Sequence, residues 1–158
     1  MPKGQEGPGG APGDLERGGT AVGRLDHVGV AVRDASSTAA TLSRTLGLRI
    51  ELDEVLENIG VRLVYMVGAD EDGQCPVQLV QPLRDGPVLS FLDERGEGPH
   101  HLCFTSLGLE DALVAVNDNE ATIFAGGRGR RACFLTQQLS GMRVELVEPV
   151  PSSPGGHP

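Results

Sequence analysis

Two adjacent histidines, His100 and His101, open an apolar run, and a third, His27, lies in the segment DHVG at 26–29. An imidazole ring can bind a divalent transition metal or transfer a proton near neutral pH. Both histidine segments are rich in apolar residues, which is typical of strands. These positions are therefore the first candidates for chemistry in the chain.

The histidine segments belong to a repeat. DHVG at 26–29 matches HHLC at 100–103, and VQLVQP at 77–82 matches VELVEP at 144–149. Two copies of one module predict a pseudo-twofold pair of small sheets. The matched positions include His27 and His101 on the opening strands and Gln78 and Glu145 on the closing strands, and all four of these residues can bind a metal.

These four side chains together would present two imidazole nitrogens, an amide oxygen and a carboxylate oxygen. That donor set suits divalent Co, Mn, Ni, Zn or Fe and leaves positions for water or substrate oxygens. Taken singly, a strand histidine is more often a hydrogen-bonded core residue, and Gln78 or Glu145 is more often solvated. Their matched placement favours a metal site, with His100 on the opposite strand face as a structural or supporting residue.

Strands and helices must position these residues. The segment 24–32 predicts a strand, and the apolar spacing from Ala35 to Leu46 predicts a helix that Asp34 begins and Gly47 ends. A short strand at 50–52 precedes a polar excursion. Further strands are predicted at 61–67, 77–80, 100–105, 121–124, 132–135 and 142–147, with helical segments at 88–93 and 109–116.

The chain has 158 residues with a hydrophobic share of 39%, enough for one modest core. We expect a single domain at 24–150, with modules at about 24–82 and 99–149. The segments 1–23 and 151–158 are rich in glycine and proline and predict disordered tails.

The composition of the chain narrows the classes of molecule that it can bind. A formal charge of -9 and an aromatic share of 3% disfavour nucleic acid and anionic membranes. The chain has no apolar run of membrane-spanning length and no secretion signal, and its three cysteines are widely separated. We therefore expect a cytoplasmic protein.

The motifs resemble the vicinal oxygen chelate superfamily (glyoxalase, bleomycin resistance and dioxygenase proteins), and within it the methylmalonyl-CoA epimerases. The resemblance spans about 25–149 and is carried by DHVGVAV, LGL at 46–48, VQLVQP, SFLDERGEGPHH at 90–101, and VELVEP. It implies an α+β fold in which two paired βαβββ modules form a cup-shaped sheet. It also implies a homodimer, a coenzyme A thioester as the small-molecule substrate, and a divalent metal held by His27, Gln78, His101 and Glu145.

The chemistry expected at such a site is removal of a proton α to a thioester, with the cation stabilising the enolate. Glu145 is the first candidate for proton transfer. Epimerisation needs a second acid on the opposite face, and where the family has one this chain has Leu63. Either Glu54 or Glu57 reaches in from the preceding loop, or the reaction uses one base.

Three further positions are candidates for substrate contact. Arg143 falls on the strand face of Glu145 and could bind a substrate carboxylate or lie at a solvated rim. Tyr65 and Leu63 share a strand face and could line the cup or pack in the core. A basic loop could meet a coenzyme A phosphate or stay solvated, through Arg128, Arg130 and Arg131.

Three functions remain open from the sequence. The first is a metal-dependent epimerase of methylmalonyl-CoA or a related thioester of coenzyme A or a carrier protein. The second is a one-base isomerase, lyase or cyclase of secondary metabolism, which Leu63 favours. The third is a non-catalytic protein that binds a small molecule or confers drug resistance.

Overall fold

A computed structural model describes residues 22–70 and 75–150 of the chain. The first strand begins at Val22, so the predicted tail at 1–23 overlaps it by two residues. The rest of that tail, and the predicted tail at 151–158, lie outside the described residues.

The described residues form eight strands, three α-helices and one 3₁₀ turn, and none of these helices is long and apolar enough to cross a membrane. The strands are β1 (Val22–Ala31), β2 (Arg49–Leu56), β3 (Val61–Val67), β4 (Val77–Pro82), β5 (Gly98–Ser106), β6 (Ile123–Ala125), β7 (Arg131–Phe134) and β8 (Val144–Val147). The helices are α1 (Ala35–Leu46), α2 (Pro87–Arg95) and α3 (Leu109–Ala115), and the 3₁₀ turn spans Gly127–Gly129.

All eight strands join one curled mixed sheet in the order β2-β3-β4-β1-β5-β8-β7-β6. Each half places its first strand at the centre, paired in parallel with the last strand of the same half. The two halves meet where β1 and β5 pair antiparallel. The predicted α+β fold is confirmed, and the two halves have the same strand order about the β1–β5 junction.

Helix α1 has the boundaries that its sequence predicts. The Asp34 carboxylate accepts a hydrogen bond from Ser37 N at 3.1 Å, which satisfies an amide that the helix leaves free. At the other end Gly47 has φ 69°, and its amide donates to Ser43 O at 2.9 Å. Glycine suits this left-handed cap because it has no Cβ.

Strand alternation separates the core from the concave face in the first half. Val64 and Met66 pack against α1 in a buried apolar cluster. Leu63 and Tyr65, one position away on β3, therefore point to the opposite face.

The second half repeats this arrangement. Cys133 and Leu146 pack against α3. Phe134 and Glu145, which are paired across β7 and β8, point away from that helix. The concave faces of the two halves therefore border the same space.

Strand β2 is longer than predicted. The sequence predicted a strand at 50–52 and then a polar excursion, whereas β2 continues to Leu56 and pairs with β3 along most of its length. The strand lies at the edge of the sheet, and its outward side chains are exposed. Polar residues such as Asp53 are tolerated on that face, which is why composition suggested a loop.

Candidate metal centre

Three predicted ligands converge at the centre of the sheet. His27 Nε2 lies 3.3 Å from His101 Nε2 and 3.3 Å from Glu145 Oε1, and the last two atoms are 3.7 Å apart. All three side chains are buried, with 2% to 8% of each residue exposed. Such a cluster of nitrogen and carboxylate donors could hold a metal ion.

Strand pairing explains the convergence. His27 on β1 is opposite Cys103 on β5, and Cys103 is in turn opposite Glu145 on β8. Residues in register on adjacent strands project from the same face. The imidazole of His27 and the carboxylate of Glu145 therefore meet across the small side chain of Cys103.

Gln78 borders the same cavity as His27 and Glu145. Its Nε2 donates a hydrogen bond to Tyr65 Oη at 2.9 Å, and this leaves the amide oxygen as the atom available to a metal. Burial raises the pKa of Tyr65 to about 12, so its hydroxyl stays protonated. The fourth predicted ligand is thus held beside the cluster by a buried phenol.

The spacing of the cluster fits a divalent cation. Bonds of about 2.0–2.2 Å at tetrahedral to octahedral angles separate neighbouring donor atoms by about 3.0–3.5 Å. The observed separations of 3.3, 3.3 and 3.7 Å are close to that range. Burial lowers the pKa of His101 to about 4, against the opposing effect of the Glu145 charge, so the ring is a neutral ligand at neutral pH.

The electrostatic environment of the His27, His101 and Glu145 cluster favours a positive charge. Burial alone would lower the pKa of His27, but its contacts with Asp26 and Glu145 raise it. Burial alone would raise the pKa of Glu145, but its hydrogen bond with His27 lowers it. A cation bound between His27 and His101 would compensate the charge of the buried Glu145 carboxylate.

Asp26 and Arg130 form a buried support that the sequence did not indicate. His27 Nδ1 donates to Asp26 Oδ2 at 2.7 Å, which points Nε2 into the cluster. Arg130 grips the same carboxylate with both terminal nitrogens, at 2.8 and 2.7 Å. Burial opposes ionisation of Asp26, yet the bonds from Arg130 and His27 lower its pKa.

The prediction that His100 faces away from His101 is wrong. On the β1–β5 ladder His101 is opposite Gly29 and Pro99 is opposite Val30, so His100 has no partner and forms a bulge. A bulge interrupts the alternation of side chains. The two rings therefore lie together, with their Nδ1 atoms 2.9 Å apart, and His101 can donate its Nδ1 proton there and keep Nε2 free.

Gly29 makes room for the His101 ring. A Cβ on Gly29 would lie 2.0 Å from His101 Cε1, 2.4 Å from Nδ1 and 2.5 Å from Nε2. No side chain larger than hydrogen fits there without displacing the imidazole. The only sign of this close approach in the sequence is the glycine of DHVG, which lies two residues after His27.

A cavity of about 450 Å³ opens beside the cluster. Leu63 and Tyr65 both line it, and so does the half-buried Arg143, whose guanidinium lies 5.6 Å from the centre of the Phe91 ring. No carboxylate of the described residues pairs with Arg143. Much of the cavity wall is apolar and consists of Leu56, Ile59, Val61, Leu63, Val80 and Val88.

Glu145 is the one acidic side chain that lines this cavity among the described residues. Glu54 lies on β2 and not in a loop, and its Oε1 accepts a hydrogen bond from Arg128 N at 2.8 Å. Glu57 is exposed. Neither glutamate supplies a carboxylate to the cavity opposite Glu145.

The three arginines of the basic loop are paired with carboxylates. Arg128 pairs with Glu51 at 2.8 Å, Arg130 with Asp26, and Arg131 with Glu110 and Glu148. Their charges are largely compensated, so this loop offers little free positive charge to a phosphate.

Comparison of the sequence with known protein families identifies the superfamily of the chain. The sequence profile of the Glyoxalase/Bleomycin resistance protein/Dioxygenase superfamily matches residues 26–134, which include three of the four predicted ligands. The chain belongs to this superfamily. The curled sheet of two like halves agrees with that assignment, and the resemblance drawn from the sequence motifs is confirmed.

Relatives within the superfamily include methylmalonyl-CoA epimerases. The chain is 31% identical to an ethylmalonyl-CoA/methylmalonyl-CoA epimerase of Cereibacter sphaeroides over 139 residues, covering 80% of this chain and 98% of the relative. It is 30% identical to the uncharacterized protein YqjC of Bacillus subtilis over 135 residues, covering 81% and 94%. A solved point variant of the Streptomyces coelicolor methylmalonyl-CoA epimerase, in complex with 2-nitronate-propionyl-CoA, has a TM-score of 0.70 and 29% identity, covering 80% and 97%.

Proposed function

We propose that the protein is a divalent-metal-dependent isomerase that transfers the proton α to a thioester carbonyl. The proposed substrate is methylmalonyl-CoA or a close 2-substituted malonyl thioester of coenzyme A or a carrier protein. The observation that carries this proposal is the convergence of His27, His101 and Glu145 beside a cavity of about 450 Å³. Epimerases of such thioesters among the relatives support it.

In this proposal His27, Gln78, His101 and Glu145 hold the metal. The bound cation would act as a Lewis acid that stabilises negative charge on the substrate oxygens. Tyr65 fixes the amide of Gln78, and Asp26 fixes the ring of His27. The protein therefore keeps the donor atoms in place before the substrate arrives, which lowers the cost of binding it.

Glu145 transfers the proton. Its Oε1 faces the two histidines, so Oε2 is the atom left to accept the α proton. The electron pair of the broken C–H bond passes into the enolate of the thioester, and the return of a proton to the α carbon restores the C–H bond. Arg143 lines the cavity, no carboxylate of residues 22–70 and 75–150 pairs with it, and its guanidinium binds the free carboxylate of the malonyl group.

The presence of Leu63 favours a second candidate function, a one-base enzyme that also removes the α proton to form an enolate. The side chain is buried in the cavity wall and cannot carry a proton, and neither Glu54 nor Glu57 lines the cavity. With one base, the proton returns to the face from which it left, so that exchange occurs without inversion. A one-base enzyme would instead use the enolate for isomerisation, cleavage or ring closure.

One experiment separates these functions. Metal-loaded protein is mixed with a single epimer of methylmalonyl-CoA in deuterated water, and deuterium content and configuration at the α carbon are followed by NMR and chiral analysis. Exchange with inversion supports the epimerase, whereas exchange with retained configuration supports the one-base enzyme. Absence of exchange above the rate without enzyme, at full metal occupancy, contradicts the proposal and favours the binding protein.

The homodimer and the cytoplasmic location remain predictions from the family resemblance and the composition. Light scattering coupled to size-exclusion chromatography measures the mass of the particle. A particle of 16.5 kDa, the mass of one chain, would contradict the dimer.

A further inference from the structure

Arg130 is a buried guanidinium with a fixed partner. Only 5% of the residue is exposed, and its two terminal nitrogens meet the two oxygens of Asp26 at 2.8 and 2.7 Å. This parallel pair of bonds fixes both the position and the plane of the carboxylate. The arginine therefore determines where Asp26 can present a lone pair.

Asp26 in turn determines the orientation of His27. Its Oδ2 lies 2.7 Å from His27 Nδ1, which donates the proton. With Nδ1 engaged, Nε2 is the ring nitrogen that faces His101 and Glu145, at 3.3 Å from each. A carboxylate in this place fixes the tautomer and the ring orientation of a metal-binding histidine.

The support connects the two halves of the fold. Asp26 and His27 lie on β1, whereas Arg130 follows the 3₁₀ turn of the second half. Two backbone bonds hold this turn, from Gly126 N to Arg130 O at 2.8 Å and from Arg130 N to Gly127 O at 3.2 Å. The second half thus supplies the group that orients a predicted ligand of the first half.

We propose that Arg130 is a positioning residue for the metal centre and acts through Asp26 on His27. The inference rests on the proposed metal site and goes beyond its predicted ligands. Without the guanidinium, a carboxylate with 12% side-chain exposure loses its ionic partner and two hydrogen bonds. It would then be free to turn toward water and would hold the imidazole less firmly.

The test is the metal affinity of Arg130→Met, measured by titrating Co²⁺ into protein stripped with a chelator. The visible absorption of Co²⁺ reports its coordination together with its binding. We expect affinity to fall about 10- to 100-fold, as for other residues that support a metal-binding histidine. Arg131→Met is the matched control, because this neighbouring guanidinium is 48% exposed and pairs with the carboxylates of Glu110 and Glu148.

A double-mutant cycle shows whether Arg130 acts through Asp26. Asp26→Asn should also weaken Co²⁺ binding, and adding Arg130→Met to it should weaken binding by less than about threefold more. A structural role of Arg130 independent of Asp26 would instead give additive losses. Arg130→Lys, which keeps the charge but not the paired bonds, should recover only part of the affinity.

Two results would overturn the inference while the proposed function stands: equal affinity of Arg130→Met and the native protein, or additive losses in the cycle. Failure of the native protein to bind Co²⁺ would overturn the metal site itself. If Arg130→Met does not fold, Asp26→Asn and Arg130→Lys decide the matter, since native affinity in both would contradict the positioning role.

Discussion

Replacement of Gly29 by alanine should displace a metal ligand while the sheet stays folded. The added Cβ would lie 2.0 Å from His101 Cε1, whereas carbon atoms in contact are about 3.5–4.0 Å apart. The ring must therefore retreat by about 1.5 Å or more. Gly29 does not have the left-handed φ that would itself disfavour alanine.

The expected loss follows from bond lengths. Bonds from metal to histidine nitrogen are about 2.0–2.1 Å long, so a displacement of about 1.5 Å breaks the bond to His101. Residues that merely orient a ligand contribute about 10- to 100-fold to metal affinity, and loss of the ligand should cost at least as much. The upper figure corresponds to about 2.7 kcal/mol of binding free energy.

The assay is a competition titration of stripped protein against a chromogenic chelator, with circular dichroism as the check on folding. Gly86→Ala is the matched control, because a Cβ there would meet nothing within 4 Å. If a folded Gly29→Ala protein bound metal as tightly as the native protein, the geometry assigned to His101 would be wrong.

Three other substitutions probe the cavity and the fold. Leu63→Glu adds a carboxylate to the cavity wall, so inversion of the α carbon should become faster relative to deuterium exchange; an unchanged ratio would mean that Leu63 does not face the reacting carbon. Asp34→Ala removes the cap bond to Ser37 and should lower the free energy of unfolding by about 1 kcal/mol in urea titrations, whereas no change would show that the cap does not stabilise α1. Asp118 accepts a hydrogen bond from Thr136 N, and this bond lowers the pKa of the Asp118 carboxyl below its ordinary value of 3.8. The ionised carboxylate therefore stabilises the folded protein above pH 3.8, and this stabilisation is lost as the pH falls through the lowered pKa. The melting temperatures of native protein and Asp118→Ala should accordingly differ at pH 6 and converge in strong acid, and a difference independent of pH would contradict this role.

Sequence patterns correctly predicted the elements whose boundaries depend on interactions between residues close together in the chain. Asp34 and Gly47 mark the two ends of α1 because capping needs only nearby backbone groups. The repeat indicated the matched pair His27 and His101, because duplicated modules place equivalent residues on equivalent strands. Three of the four positions so indicated form one cluster, and Gln78 borders the adjoining cavity.

The remaining features depend on contacts between distant segments. Arg130 and Asp26 are 104 positions apart, and no spacing rule pairs them. The bulge at His100 arises from the register between β1 and β5, which periodicity along one strand does not reveal. The same limit applies to Glu54, whose carboxylate accepts a bond from the turn that carries Arg128.

The central claim is that His27, Gln78, His101 and Glu145 form one metal site. Its most direct test is the metal content of purified protein, compared by elemental analysis with that of His101→Ala and of the adjacent variant His100→Asn, whose amide oxygen can still accept the Nδ1 proton of His101. We predict about one divalent ion per chain in the native protein and in His100→Asn, and very little in His101→Ala. Equal metal content in His101→Ala and the native protein would contradict the claim.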